Sequence, residues 1–132
     1  MLSGKNLAGY ATFSYDYFLN GGFISCTCKD CNSDVNLSIQ VYHSGKLVET
    51  LEDRYGIHLL QELLESNIVN LKDETNGFHY NLNKYILWNM DARYEIISCA
   101  GCQNTFLAIF GMAELQPGRE EVQFKGVWKL NV

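Results

Sequence analysis

Two short stretches hold most of the chemistry this chain can offer. Cys28-Lys29-Asp30-Cys31 and Cys99-Ala100-Gly101-Cys102 each set two thiols three positions apart, and together they use four of the five cysteines. The residues after each pair repeat as well. Asn32-Ser33-Asp34-Val35 and Gln103-Asn104-Thr105-Phe106 both run amide, small polar, polar, apolar. Two intervening residues let the backbone turn tightly, so that both sulfurs face one point while backbone amides donate to them. Four thiolates at ~2.3 Å then complete a tetrahedron suited to Zn²⁺. A ligating cysteine is deprotonated, so four thiolates and one dication take the formal charge from −5 to about −7.

Competing uses of the same residues rank lower. A thioredoxin-type redox pair needs one Cys-x-x-Cys at a helix start, not two between extended segments. Disulfides fit poorly with an odd cysteine count and with the absence of a leader-like N-terminus. A rubredoxin-like iron site takes the same four thiolates, and spacing does not separate it from zinc. Zinc is preferred because the chain offers no other electron-transfer feature. Cys26 shares a strand face with Cys28, which can place it near the metal; it reads first as a small, half-buried strand residue, with a substitute ligand or a redox-sensitive neighbour as the lower-ranked alternatives.

Positioning four sulfurs requires strands on either side of each pair. Phe23-Ile24 precedes the first, and Val35, Leu37, Ile39 and Val41 alternate with polar residues after it. Tyr94–Ile97 precedes the second, and the dense apolar run TFLAIFGM comes after it, which suits a more deeply buried strand. Paired strand–CxxC–strand hairpins resemble the parts of a zinc ribbon. The usual gap between such pairs is roughly 15–20 residues, whereas here 67 residues, 32–98, intervene. Loop-closure cost grows only logarithmically with length, so the gap is tolerable if it folds on its own.

The rest supplies that structure. Phe13, Tyr15, Tyr17 and Leu19 alternate as a strand, turned at Asn20-Gly21-Gly22 toward the first pair. The strand Val35–Tyr42 turns at His43-Ser44-Gly45 and returns as Lys46–Thr50. Ile57, Leu60, Leu63, Leu64 and Ile68 form a helical stripe, with Thr50 or Asp53 as its N-cap and Gly56 weakening its first turn. Asn76-Gly77 marks a turn, and Tyr80, Leu82, Lys84, Ile86 and Trp88 then alternate as a strand. Gln116-Pro117-Gly118-Arg119 fits a type II turn joining TFLAIFGMAEL to EEVQFKGVWKL, where Val122, Phe124 and Trp128 supply apolar residues. The expected fold is one α+β domain over residues 1–132, mainly antiparallel sheet, with two zinc-knuckle hairpins and one helix inserted between them.

Composition narrows the function. With 47% hydrophobic and 19% charged residues the chain is globular, and no window approaches the ~20 apolar residues of a membrane helix. It reads as cytoplasmic. Fifteen acidic residues against ten scattered basic ones argue against a nucleic-acid binder, which clusters Lys and Arg against phosphates. The first knuckle carries Lys29 but also Asp30 and Asp34, and Ala100-Gly101 in the second is uncharged. His43, His58 and His79 sit in no catalytic motif, and a site closed by four thiolates has no open position for water. The chain is expected to be no enzyme.

A small, acidic, single-domain cytoplasmic chain with paired CxxC and no catalytic motif resembles the immunity proteins of bacterial toxin–immunity systems. That resemblance implies direct, stoichiometric binding to a toxin domain. The acidic middle segment, Glu49, Glu52, Asp53, Glu62, Glu65, Asp73 and Glu74, is the expected contact surface. The alternative is a zinc-ribbon module that binds nucleic acid or serves transcription.

Overall fold

In the computed structural model, described for residues 2–3, 12–16, 21–40, 45–71, 85–87, 90–116 and 119–131, antiparallel sheet predominates. In chain order the elements are β1 (Leu2–Ser3), β2 (Thr12–Asp16), β3 (Gly21–Thr27), β4 (Asp34–Gln40), β5 (Lys46–Leu47), α1 (Leu51–Tyr55), α2 (Ile57–Glu65), β6 (Asn70–Leu71), β7 (Tyr85–Leu87), β8 (Met90–Ser98), β9 (Thr105–Gln116) and β10 (Arg119–Leu130). A larger sheet runs β1-β10-β9-β8-β7-β6, with β5 also paired to β8; a smaller one runs β2-β3-β4.

β9 is the axis of the fold, and its sequence explains why. Every residue from Phe106 to Met112 is buried. Alternation sends Phe106, Ala108, Phe110 and Met112 to one face, where they join Ile24, Val35 and Ile39 of the smaller sheet in a single apolar cluster. Leu107 and Ile109 point the other way, into a second cluster with Val48, Leu51, Leu59, Leu60 and Leu63. The layers are therefore small sheet, large sheet, helices. Full burial of each large aliphatic or aromatic side chain contributes about 1.5–3 kcal/mol, so β9 anchors both interfaces at once.

The β9–β10 hairpin forms in the expected place, but its faces are not those of simple alternation. The register passes from Phe124↔Phe110 to Gly126↔Ile109, which leaves Lys125 as an extra residue in a bulge. The bulge inverts the parity. Val122 and Val127 both face the small sheet, although five positions separate them, while Trp128 turns to the helical side. Lys129 thereby falls opposite Phe106, on the cysteine side of the sheet.

Several local expectations change. The single helix is two, because Gly56 takes φ +81°, a left-handed conformation that glycine alone adopts freely. α2 buries Leu59, Leu60 and Leu63, whereas Ile57 is exposed and Ile68 lies beyond its end. Asn67, at φ 56°, terminates it, with the Ile68 amide returning to the Leu63 carbonyl. Thr50 precedes α1 without capping it; its hydroxyl donates to the Leu47 carbonyl instead. Gly21 and Gly22 lie inside β3, paired with Asp16 and Tyr15, not in a turn. A side chain at Gly22 would press on the Phe13 ring at 2.9 Å. Lys46-Leu47 does not return along β4 but crosses to pair with Tyr94 and Arg93 of β8, after which Val48–Thr50 forms a 3-10 turn. In β7 it is Tyr85 and Leu87 that are buried, so the alternation runs in the opposite phase to that expected for Ile86. The expected strand positions Tyr17, Leu19, Val41, Tyr80, Leu82, Lys84 and Trp88, the turns at Asn76-Gly77 and Pro117-Gly118, and His43 and His79 lie outside the described residues.

Candidate metal centre

Each cysteine pair sits where two paired strands end together. β3 and β4 bring in Cys28 and Cys31; β8 and β9 bring in Cys99 and Cys102. The two turns are built alike. The Cys28 amide donates to the Ser33 carbonyl at 2.9 Å and the Asn32 amide to the Cys28 carbonyl at 2.8 Å. The Cys99 amide donates to the Asn104 carbonyl at 2.8 Å and the Gln103 amide to the Cys99 carbonyl at 2.9 Å. Asn32 and Gln103, the matched amide residues of the sequence repeat, both occupy the left-handed region, at φ 58° and 63°. Asn tolerates that region; Gln has no such preference, so the turn imposes it.

The four sulfurs converge. All lie within 4.8 Å of one another, with Cys28 Sγ 3.6 Å from Cys102 Sγ and Cys31 Sγ 3.5 Å from Cys99 Sγ. A tetrahedral ion with sulfurs at ~2.3 Å places its ligands about 3.8 Å apart, so these side chains can hold a metal ion with little adjustment. None of the five cysteines forms a disulfide. Cys28 and Cys99 are buried, and Cys31 and Cys102 are half-buried.

The proton affinities of the two half-buried thiols diverge. The Ser33 hydroxyl, and then the Ser33 backbone amide, hydrogen-bond to Cys31 and bring it down to about 6. The Asn104 backbone amide lowers Cys102 in the same way, but burial and the sulfurs of Cys31, Cys28 and Cys99 outweigh it and push the thiol up to about 12. Cys31 ionises readily while Cys102 resists; a bound dication removes that conflict.

Packing between the two turns is equally close. A side chain at Gly101 would run into the Ser33 hydroxyl and come within 2.9 Å of Cys31 Sγ. Glycine is needed here for close approach. Asn104 spans the two turns: its Nδ2 donates to Asp30 Oδ2 at 2.6 Å and to Cys28 Sγ at 3.8 Å. Lys129 Nζ donates to the same Asp30 oxygen at 2.9 Å. Burial first, then the nearby sulfurs of Cys28 and Cys99, raises the Cys26 thiol. Cys26 is 3% exposed, more deeply packed than the half-buried position expected, and is not one of the four converging sulfurs.

Ser33, Gly101, Asn104 and Lys129 were not legible as site residues. The repeat marks the positions of Ser33 and Asn104 but not what their side chains reach, and Lys129 lies 99 positions from Asp30. The acidic segment divides. Glu52, Asp53 and Glu65 are exposed and Glu49 is half-buried. Glu49 and Glu52 both act on Tyr85, whose phenol is raised by burial and then by these two charges. The Glu62 carboxylate instead accepts from the Leu2 amide at 3.2 and 3.3 Å, tying β1 to α2. Asp73 and Glu74 lie outside the described residues. His58 is exposed. Among the described residues no helix is long and apolar enough to cross a membrane. Comparison with family models, curated proteins and solved structures found no match.

Proposed function

We propose that the chain is a non-catalytic protein-binding domain whose fold is closed by one structural Zn²⁺ on Cys28, Cys31, Cys99 and Cys102. One observation carries the reading: two turns of matched hydrogen bonding, from opposite sheets, bring four sulfurs within 4.8 Å of one another. In this reading the two turns are the knuckles of a zinc-ribbon-like centre, with the helices and β5–β7 inserted between them. Four thiolates fill a tetrahedral shell, leaving no position for water or substrate. A centre of this kind supplies stability and not turnover.

The partner in this reading is a protein, a toxin domain neutralised by direct contact as in the immunity proteins the sequence resembles. The net charge of −5 and the exposed carboxylates of Glu52, Asp53 and Glu65 on the helices support a partner with a basic surface. Metal analysis of protein purified without added metal tests the centre, with one equivalent of zinc expected and little retained after Cys99→Ser/Cys102→Ser. A full equivalent retained by that double variant, or iron in place of zinc, rejects the assignment. Co-purification from cell extract at low and high salt tests the partner. One protein released as salt rises is expected, and nucleic acid alone in the eluate favours the ribbon alternative.

A further inference from the structure

The hydrogen bonds around the four sulfurs are not symmetric: the Ser33 hydroxyl serves Cys31 within its own turn, and the Asn104 side chain crosses between the turns. Both turns give their second cysteine a backbone amide, from Ser33 and from Asn104. The Asn104 side chain leaves its own turn and reaches a sulfur of the other. Its Nδ2 contacts are with two acceptors, Cys28 Sγ and the Asp30 carboxylate, so the reverse amide orientation would set oxygen against both. Asp30 is in turn held by Lys129, which β10 delivers to this face only because the bulge at Lys125 inverts the strand. The chain of contacts runs Lys129, Asp30, Asn104, Cys28, and it joins both turns to a third strand.

A dication on four thiolates has a net charge of about −2, and donors aimed at its sulfurs stabilise that charge and hold ligand orientation. We propose that Asn104 is a positioning residue for the metal, oriented by Asp30 and Lys129, and that this relay sets how slowly the ion is released. The inference rests on the zinc reading and deepens it by naming what controls retention. Removing the carboxamide leaves Cys28 with one donor fewer and unties the turns; removing Lys129 frees Asp30 to swing away, loosening the same amide at one remove.

The test uses the full chain loaded with Co²⁺, whose sulfur-to-metal absorption reports the thiolates directly, and a chelator challenge that reads the release rate. Asn104→Ala is expected to release metal roughly tenfold faster or more and to shift the sulfur-to-cobalt band. Lys129→Met, on the exposed side of the relay, is expected to speed release in the same direction by less. Asp30→Ala combined with Asn104→Ala should release no faster than Asn104→Ala alone, because both act through one contact. Ser25→Ala, which removes an exposed hydroxyl bonded to Asn36 on the same small sheet, should leave rate and band unchanged. A wild-type release rate and band in Asn104→Ala, with one equivalent of cobalt bound, overturns the inference and leaves the metal centre standing. Lower thermal stability in Asn104→Ala with an unchanged band and rate overturns it too, since that is a purely structural role. Wild-type protein that takes up no cobalt overturns the centre and the relay together.

Discussion

If the four cysteines hold zinc as proposed, stripping the metal should cost this protein a quantity that the topology sets. Cys31 and Cys99 are 68 positions apart in the chain, yet their sulfurs lie 3.5 Å from each other. A cross-link closing a loop of that length removes unfolded-state entropy worth about 4 kcal/mol at 25 °C, by the logarithmic relation that also describes disulfides. The unfolding entropy of about 2.1 cal/mol/K per residue, taken over 132 residues, is about 0.28 kcal/mol/K. The metal-free chain should therefore melt about 15 °C below the loaded one. The assay is a thermal melt of loaded protein, of protein stripped by a chelator under reducing conditions, and of Cys99→Ser. The stripped protein and the Cys99→Ser variant should fall by similar amounts, and chelator should have little further effect on the variant. Stripped and loaded protein melting within a few degrees of each other would show that the ion does not tether the two sheets, and the loop argument would be wrong.

Other expectations come from burial and contact. Cys26→Ser buries a hydroxyl in an apolar cluster and should cost about 1–3 kcal/mol in urea denaturation while leaving metal content unchanged, since Cys26 is not one of the four converging sulfurs. Phe110→Ala empties a fully buried site between the two sheets and should cost about 3–5 kcal/mol in the same assay. Gly101→Ala forces a methyl against Ser33 and Cys31; metal release in a chelator challenge should accelerate, whereas Ala100→Gly should change little. Tyr85 should ionise at lower pH in Glu49→Gln/Glu52→Gln, because two charges that raise its phenol are gone; absorbance at alkaline pH reads this directly. A raised phenol pKa stabilises the fold below the unfolded tyrosine value and is lost as pH rises through the folded value. The double variant should accordingly lose less stability than wild type over the alkaline range, because its loss starts at the same pH and is complete at a lower one.

The cysteine centre is the part of this protein that its sequence alone determines. Two CxxC pairs with matched neighbours specify tight turns, because the local hydrogen bonds of such a turn lie within six residues: Cys28 to Ser33, Cys99 to Asn104. TFLAIFGM likewise declares a deeply buried strand, since seven consecutive apolar or small residues leave no polar side to face water; the structure buries both of its faces. Tertiary structure decided what local patterns do not encode. Alternation sets Val122, Phe124 and Trp128 on one face, and a single extra residue at Lys125 overrides it, because a strand's side-chain period is two and one insertion flips every residue after it. That flip carries Lys129 to Asp30. The helical stripe took in Ile57 and left out Leu59 because Gly56 restarts the helix and resets which residues meet the sheet. Glu62 looked like one more solvent-facing carboxylate until β1 arrived beside α2 from 60 positions away. Local chemistry names the four cysteines that converge; the long-range contacts around them exist only once the layers have packed.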